Sequence, residues 1–304
     1  MKAIGDTMIS LNDYLQERKT IVDEALEHFL PSPDHYPPTI FESVRYSVFA
    51  GGKRLRPILC MAAADTVGGQ GRDVVAAACA LEMVHTYSLI HDDLPAMDDD
   101  DYRRGMLTNH KVFGEGMAVL AGDALLTEAF QLLSRQDIMR HVSATRRLQV
   151  INEIAYAIGF FGMVGGQVVD LDSEGKDVEF GTLQYIHSHK TEALISVSLR
   201  VGALLAGSDN EELSALSGYG KKIGLAFQIA DDILDIESSL EVLGKDTGSD
   251  EDRKKATYPA LIGLESSRTK AVELVEGALL DLQYFDHKAE PLRGIAKFIV
   301  ERET

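Results

Sequence analysis

The chain has 304 residues, of which 45% are hydrophobic and 26% charged, with only 8 prolines and no tryptophan. This balance predicts one large domain, residues 1–304, that is long enough to bury a substantial core. The formal net charge of -18 argues against nucleic acid or an anionic membrane surface as a partner, although a metal and local cations would still allow an anionic substrate.

Cysteine usage and the N-terminal composition indicate the cellular compartment. Cys60 and Cys79 lie in apolar helical patterns, as buried free thiols in a reducing compartment do. The first 30 residues are rich in acidic side chains, unlike a signal or transit peptide. Apolar stretches are interrupted, as Arg200 interrupts Ile195–Ala206, so we expect a cytoplasmic protein without stable membrane insertion.

Helical periodicity dominates the chain, and strand-like alternation is nearly absent. Glycine and proline clusters at 31–38, 68–71 and 207–210 separate the helical segments. We therefore predict an all-α fold, a single-domain bundle of about ten or more helices around a central cavity. The predicted helices are, in chain order, Ser10–Leu30, Pro38–Phe49, Leu55–Val67, Val74–Leu94, Met117–Arg135, Thr145–Gly162, Phe180–Ala206, Glu211–Ser238, Tyr258–Leu264, Ser267–Leu282 and Pro291–Glu301.

A cationic motif, Gly51-Gly-Lys-Arg-Leu-Arg-Pro57, stands between the second and third predicted helices. Two glycines and three cations lead into a helix start, where backbone N–H groups and the helix dipole also favour an anion. The motif suggests a diphosphate site, and an ordinary basic surface is the alternative. His85, on the next helix, lies about 10.5 Å before Asp92 along one face, where it would meet a second anion or satisfy a core hydrogen bond.

Six aspartates, at 92, 93 and 98–101, lie at the end of the fourth predicted helix and just beyond it, and Arg103 and Arg104 follow them. Carboxylates at a helix C-terminus repel one another and the helix dipole, so a compensating cation is expected. Mg²⁺ prefers such oxygens and usually binds one or two carboxylates together with waters and substrate phosphates. Asp92 and Asp98 would point about 120° apart on a straight helix, so both can reach one metal cluster only if Pro95 breaks the helix. A solvated acidic loop is the alternative.

A second aspartate cluster lies about 140 residues further on, in Gly224-Leu-Ala-Phe-Gln-Ile-Ala-Asp-Asp-Ile-Leu-Asp235. Asp231 and Asp235 lie one above the other on a helix, with Gln228 one turn earlier on that face. Their neighbours are apolar, and buried carboxylates without partners are costly, so metal is expected between the two clusters. Two acidic clusters, separate cationic sites and an apolar interior together predict a cavity for two diphosphates with hydrocarbon tails.

In combination, these motifs resemble the trans-polyprenyl diphosphate synthases, most closely the bacterial-type farnesyl diphosphate synthases. The resemblance runs from about Phe41 to Ala260 and includes Gly166-Gln167-x-x-Asp170, Lys190-Thr191 and Gly244-Lys-Asp246. It implies a trans-prenyltransferase that condenses isopentenyl diphosphate head to tail with dimethylallyl or geranyl diphosphate to make farnesyl diphosphate. It also implies about three Mg²⁺ ions per active site, with Mn²⁺ as a possible substitute. The family further implies a homodimer, for which Met117–Arg135 and Thr145–Gly162 offer apolar faces.

The resemblance also assigns roles to individual positions. The metal ligands, direct or through water, would be Asp92, Asp93, Asp98, Asp231, Asp232 and Asp235. Cations for the allylic diphosphate would be Arg103, Lys190, Lys245 and Lys254, and the isopentenyl diphosphate pocket would comprise Gly52, Lys53, Arg56, His85 and Arg104. Thr191 and Gln228, with the backbone oxygen near Lys190, resemble the dipoles that steady the carbocation.

The implied reaction proceeds by ionisation, condensation and elimination. Metal and cations neutralise the leaving diphosphate, the double bond of isopentenyl diphosphate attacks the allylic cation, and a proton is then lost. An apolar, dry interior keeps water from the cation.

In this family, chain length is set near Tyr87 and Ser88, five and four residues before Asp92. A bulky aromatic at the fifth position blocks products beyond fifteen carbons, which favours farnesyl diphosphate. On a helix, however, Ser88 is about 40° from Asp92 and Tyr87 about 140° away. Tyr87 as an ordinary core aromatic is therefore the alternative.

Other functions fit the sequence less well. Geranylgeranyl diphosphate synthase is the alternative within the enzyme class, and a non-catalytic regulatory subunit would typically have lost one aspartate motif. An HD-type phosphohydrolase would use His91-Asp92 and leave the second aspartate cluster unexplained. A terpene cyclase would usually carry an Asn/Ser/Glu pattern where this chain has Asp231-Asp232-x-x-Asp235.

Overall fold

Helices form almost all regular structure in residues 10–69, 71–242 and 257–301, which the computed structural model describes, with side chains given except at 238–242. In these residues the predicted all-α class is confirmed. The fourteen α-helices there are α1 Leu11–Phe29, α2 Pro38–Val48, α3 Leu55–Val67, α4 Arg72–Asp92, α5 Asn109–Phe113, α6 Glu115–Ser134, α7 Ala144–Ile158, α8 Met163–Ser173, α9 Phe180–Ile186, α10 Ala193–Ala206, α11 Asn210–Val242, α12 Tyr258–Ile262, α13 Leu264–Asp281 and α14 Glu290–Glu301. A 3₁₀ turn, His287–Ala289, precedes α14.

Local signals explain several helix boundaries. Ser10 and Ser143 precede α1 and α7, and each side-chain oxygen accepts a hydrogen bond from the backbone N–H three residues later. Pro38 occupies the first position of α2, where its missing N–H costs nothing. Gly68 ends α3 in the left-handed conformation, with φ 93°.

Helix α4 forms the centre of the fold. Its side chains are buried on all sides from Ala76 to Val84, as expected of a helix that is apolar all round. It packs against α1, α2, α3, α6 and α10. A second core joins α3 and α10 to α11, α13 and α14, and Gly202 permits the closest approach there, since a Cβ would lie 1.9 Å from the carbonyl oxygen of Cys60. These two cores position the C-terminal end of α4 and the C-terminal half of α11, where the aspartate clusters lie.

Several features differ from the helices predicted from sequence, including the short helix α5, which no predicted helix covers. Helix α8 was missed because glycines at 159, 162, 165 and 166 obscure its periodicity, and the helix predicted over Thr145–Gly162 ends at Ile158. The segment predicted as one helix over Phe180–Ala206 contains a π-helical turn, His187–Glu192. A short hairpin of β1, Tyr102–Arg103, and β2, Met106–Leu107, follows the first aspartate cluster. It turns through Arg104 and Gly105, both at positive φ, as two-residue hairpin turns require.

Three helical spans in the described residues are long and apolar enough to cross a membrane, judged by length and composition alone: Arg72–Asp92, Glu115–Ser134 and Ala144–Ser173. The sequence predicted no membrane insertion because polar residues interrupt its apolar runs, whereas the mean hydropathy of these spans remains high despite a few polar residues. In α4, 72% of the span is buried inside the fold, which makes it a core helix. The other two spans are 39% and 33% buried, so they leave apolar side chains exposed on α6, α7 and α8.

Candidate active site

The end of α4 brings the first and third predicted metal ligands together. Helix α4 stops at Asp92, and Pro95 lies in the turn that follows, as the sequence predicted. The chain then folds back, so that the backbone N–H of Asp98 donates to the carbonyl oxygen of Asp92 at 2.8 Å. Asp92 and Asp98 are therefore neighbours at the end of a buried helix.

The Asp92 carboxylate is strongly affected by this position. Burial raises its pKa to about 6, and the nearby charge of Asp98 adds to the effect, while Lys190 opposes it. Among the described residues, none donates a hydrogen bond to this carboxylate. A buried anion beside a second anion favours the approach of a cation.

Asp93 differs from Asp92 because the protein itself supplies its partner. Asp93 is buried, and it accepts a hydrogen bond from Nε of Arg103 at 2.6 Å. Arg103 also reaches Asp100 at 3.5 Å. The carboxylate of Asp93 thus holds Arg103 beside the acidic cluster. If Asp93 also binds a metal ion, the same carboxylate must contact both the metal and Arg103.

The second aspartate cluster likewise contains one carboxylate that is paired within the protein and others that are more exposed. Asp232 is buried and accepts hydrogen bonds from the backbone N–H of Tyr258 at 2.9 Å and from the Gln228 amide at 3.1 Å. Burial raises the pKa of Asp232 to about 6, and these hydrogen bonds oppose the shift. Asp231 and Asp235 are more exposed on the same helix. Asp232 therefore ties α11 to α12, while Asp231 and Asp235 face more open space.

The π-helical turn places Lys190 and Thr191 between the two clusters. Lys190 donates to Asp170 of α8 at 2.6 Å, and Thr191 donates to the Gln228 side chain at 3.0 Å. Although burial alone would lower it, the charges of Asp170 and Asp92 raise the pKa of Lys190. Gly166 allows α8 to approach this closely, because a Cβ would lie 2.5 Å from the backbone nitrogen of Lys190. Single π-helical turns within helices often mark functional sites.

The predicted cations for a second diphosphate surround a separate cavity of about 870 Å³. One end is lined by the residues predicted for isopentenyl diphosphate: Gly52, Lys53, Arg56, His85 and Arg104. The other end is apolar and is lined by Leu15, Phe227, Ile295, Phe298 and Ile299 of α1, α11 and α14. The structure thus brings the residues predicted for isopentenyl diphosphate together in one cavity. The apolar wall formed by α1, α11 and α14 was not predicted.

Contacts within the cationic end fix its geometry and charge. Arg104 donates to the carbonyl oxygen of Gly51, and a Cβ on Gly52 would lie 2.5 Å from the Arg104 guanidinium. Burial and the adjacent guanidinium of Arg56 hold the pKa of His85 well below its usual value, so the ring is neutral. Nε2 of His85 can then accept the hydrogen bond from Arg56 at 3.3 Å. Burial lowers the pKa of Arg56 to about 10, which leaves it charged at neutral pH.

Several contributors were not singled out from the sequence. Asp170 was noted only as part of a motif, and its partnership with Lys190 depends on the contact between α8 and the π-helical turn. Glu82 lines the cationic cavity, and its only sequence signal is a single acid in the apolar run Ala76–Val84. Lys245 and Lys254, predicted as cations for the allylic diphosphate, lie outside the described residues.

Comparisons with known proteins assign the family. A family model described as polyprenyl synthetase matches residues 37–283. The chain belongs to the polyprenyl synthetase family. It is 50% identical to a geranylgeranyl diphosphate synthase of Cyanophora paradoxa, over 98% of both chains. It is 44% identical to a farnesyl diphosphate synthase of Geobacillus stearothermophilus, over 97% of this chain and 99% of the relative.

A solved structure supports the same assignment for the fold. The apo structure of an FPP/GFPP synthase from Zymomonas mobilis superposes with a TM-score of 0.84 at 37% identity, covering 95% of this chain and 98% of that one. As a polyprenyl synthetase, the protein is a trans-prenyltransferase that elongates isoprenyl chains.

Polyprenyl synthetases depend on Mg²⁺ in general, and the aspartates of this chain fit that ion. Among the described residues, no three acidic, histidine or cysteine side chains converge into a ready-made metal site. Mg²⁺ does not need one, since it usually binds one or two carboxylates together with waters and substrate phosphates. The half-buried Asp92 carboxylate beside Asp98 supplies the hard oxygen donors that this ion prefers.

Glu192, next to Thr191 in the π-helical turn, predicts a pH dependence of stability. It packs against Gly224 of α11, and burial raises its pKa to about 7 while Lys221 opposes the shift. The folded state therefore binds a proton more tightly than the unfolded state, so this residue costs stability as pH rises from about 4.5 to about 7. Glu192→Gln should raise the free energy of unfolding at pH 8 and leave it nearly unchanged at pH 4.5.

Urea denaturation of wild type and Glu192→Gln at both pH values measures this difference. Glu265→Gln, an exposed glutamate on α13, is the control and should show no such pH dependence. Equal stability of wild type and Glu192→Gln at pH 8 would contradict the assignment.

Proposed function

We propose that the protein is a farnesyl diphosphate synthase, which adds isopentenyl diphosphate to dimethylallyl and geranyl diphosphate. The observation that carries the proposal is the pairing of two different anion sites across α4 and α11. One site is acidic and suits a diphosphate bound through metal: Lys190 lies near Asp92 and Asp98 and lines a pocket together with Asp235 of α11. The other is the cationic end of the 870 Å³ cavity, which suits a diphosphate bound directly.

At the acidic site, Asp92, Asp98, Asp231 and Asp235 would hold about three Mg²⁺ ions. When bound, Mg²⁺ supplies Lewis-acid stabilisation of the departing diphosphate. Lys190 adds a fixed positive charge, since Asp170 orients its ammonium and keeps it protonated. Arg103 is held by Asp93 and adds a second charge on the same side. These preorganised cations stabilise negative charge as the allylic C–O bond breaks.

Thr191 and Gln228 can stabilise the allylic cation without reacting with it. The Thr191 hydroxyl donates a hydrogen bond to the Gln228 side-chain oxygen, so the lone pairs of the hydroxyl oxygen stay available to a positive centre. The Gln228 amide is fixed in turn by its bond to Asp232. Buried apolar side chains along α4 and α10 exclude water that would quench the cation.

The second diphosphate belongs to isopentenyl diphosphate in this proposal. Lys53, Arg56 and Arg104 provide three cations, and neutral His85 provides an N–H donor. The double bond of isopentenyl diphosphate attacks the allylic cation, and the departed diphosphate accepts the proton that is then lost. No side chain is needed as a nucleophile.

Tyr87 supports a fifteen-carbon product. Its side chain is 7% exposed, and its ring lies edge-on to His91 with 5.8 Å between centroids. His91 itself is fixed against α6, where its Nε2 lies 3.0 Å from the carbonyl oxygen of Val119. A large, immobile aromatic thus occupies the fifth position before Asp92. Geranylgeranyl diphosphate is the second candidate product, and the 50% identity to the Cyanophora enzyme favours it.

The first prediction from this proposal concerns activity and its dependence on Asp92. With Mg²⁺, dimethylallyl diphosphate and labelled isopentenyl diphosphate, wild type should make a fifteen-carbon product. Asp92→Ala should lower the rate by at least about 100-fold, because a carboxylate proposed to bind Mg²⁺ is lost. Product chromatography after dephosphorylation measures both.

Asp137→Ala is the matched control, since Asp137 forms an exposed ion pair with Arg135 and should leave the rate within about twofold. A twenty-carbon product from wild type would keep the chemistry and replace the product assignment. Absence of any condensation would favour a non-catalytic subunit.

A second prediction concerns the floor of the hydrocarbon pocket. Tyr87→Ala should shift products beyond fifteen carbons, because removing the buried ring opens space below Asp92. Chain-length analysis measures the shift, and Tyr284→Ala, at a 90% exposed tyrosine, is the control. An unchanged fifteen-carbon product from folded Tyr87→Ala would identify Tyr87 as a core residue only.

We also propose that the enzyme is a homodimer joined through an apolar face of α6, α7 and α8. Large apolar side chains are exposed there: Leu120, Leu148, Tyr156, Phe160 and Phe161. Tyr156 and Phe161 stack with 5.8 Å between ring centroids. Contiguous apolar surface of this kind typically marks a protein interface.

Phe161→Glu should place a charge in that face and dissociate the dimer. Light scattering after size exclusion measures mass, with wild type expected at twice the 33.3 kDa chain mass and Phe161→Glu at the chain mass. Tyr284→Glu, away from this face, should remain dimeric. A monomeric wild type would contradict the proposal.

A further inference from the structure

Glu82 is the only acidic side chain among the described residues that line the 870 Å³ cavity. It lies on α4 one turn before His85 and is 1% exposed. The cations Lys53, Arg54, Arg56 and Arg104 line the same cavity. A single anion within a site that is to receive diphosphate weakens the attraction for that ligand, so its presence needs a physical reason.

Its hydrogen bonds suggest the reason. One oxygen, Oε1, accepts from Nη1 of Arg54 at 2.7 Å, and both side chains are 2% exposed. The other oxygen, Oε2, is buried and has no partner among the described residues. Arg54 completes its own set by donating to Asp23 and to the carbonyl oxygen of Val48, each at 2.7 Å. Glu82 is therefore the fully buried counter-charge of Arg54.

Arg54 in turn holds the cationic loop in an unusual conformation. Its φ is 52°, in the left-handed region that is unfavourable for a side chain as large as arginine, and Gly51 and Gly52 have φ of 96° and 124°. Such a backbone persists only when the surrounding contacts fix it. Three bonds from the Arg54 guanidinium do so, and the loop they fix carries Lys53 and begins α3 at the turn that contains Arg56.

We propose that Glu82 is a positioning residue for the isopentenyl diphosphate pocket: through Arg54 it fixes the 51–54 loop so that Lys53 and Arg56 face the bound diphosphate. The inference rests on the proposed function for the identity of that diphosphate. Glu82 also acts on the charge of the pocket, because its carboxylate opposes the lowering of the pKa of Arg56 and Arg104 by burial. Its negative charge thereby offsets part of the mutual repulsion between these guanidinium groups.

The test compares wild type with Glu82→Gln, which retains the shape of the side chain and removes its charge. KM for isopentenyl diphosphate should rise by about tenfold or more, while kcat and KM for the allylic substrate stay within about threefold. Glu27→Gln is the matched control, since Glu27 pairs with Arg45 on the exposed face of α1 and should change none of these constants. A loss that affects both substrates and kcat alike would assign Glu82 a general structural role and overturn the proposal.

A binding measurement without turnover separates this inference from the proposed function. Calorimetry with inorganic diphosphate and a metal chelator reports the cationic pocket, because the acidic site requires metal. Glu82→Gln should weaken this binding by about tenfold, and unchanged binding would overturn the proposal. Weakened binding together with a wild type that condenses no substrate would reject the proposed function and support the role of Glu82.

Glu82→Asp provides the second variant if Glu82→Gln does not fold. Aspartate keeps the charge but withdraws it from Arg54, so KM for isopentenyl diphosphate should again rise selectively, by less than in Glu82→Gln. Wild-type constants in folded Glu82→Asp would show that contact with Arg54 is unnecessary and would overturn the proposal.

Discussion

The burial of charge at the end of α4 is the constraint on which the rest of the site depends. A helix that is apolar all round must lie inside the protein, and this one carries Glu82 and His85 along its length and Asp92 and Asp93 at its end. Each buried charge requires a partner or a ligand. Arg54 meets Glu82, Arg103 meets Asp93, and Lys190 approaches Asp92 from the π-helical turn. The elements that carry Arg54, Arg103 and Lys190 therefore lie next to α4.

The acidic residues of the site fall into two groups: some are paired with other residues of the protein, and others are left for a ligand. Asp93 and Asp232 are bound by an arginine and by a backbone N–H with an amide, so they join α4 to the hairpin and α11 to α12. Asp92 keeps its carboxylate without a hydrogen bond from the described residues, and its raised pKa reflects that cost. In the proposed function, a divalent cation with a bound diphosphate would offset the cost of leaving the Asp92 carboxylate unpaired. Replacing the residues that pair with Asp93 and Asp232 would not offset it. A carboxylate in this site thus either joins two structural elements or remains available to a ligand, depending on its neighbours.

The sequence predicted most of the fold and much of the placement of site residues, because helical periodicity and the position of Pro95 are local properties. The helix break after Asp92 and the convergence of Lys53, Arg56, His85 and Arg104 are such cases. Helix α8 and the π-helical turn were missed, since glycine spacing and a shift to i→i+5 bonding leave no distinct periodic signal. Glu82 and Asp170 were not identified as contributors because their partners, Arg54 and Lys190, come from other elements.

Close packing around α4 supports the proposal that Tyr87 determines chain length. Because α3, α6 and α10 surround the helix, it cannot shift to accommodate a longer hydrocarbon. Tyr87 is held by His91, which fits against Gly122 so tightly that a Cβ there would lie 2.1 Å from the ring. The aromatic ring therefore cannot turn aside without moving α6. Relatives named for different products share 44% to 50% identity with this chain, so overall similarity does not fix the product, and the proposed product depends on the volume around Tyr87.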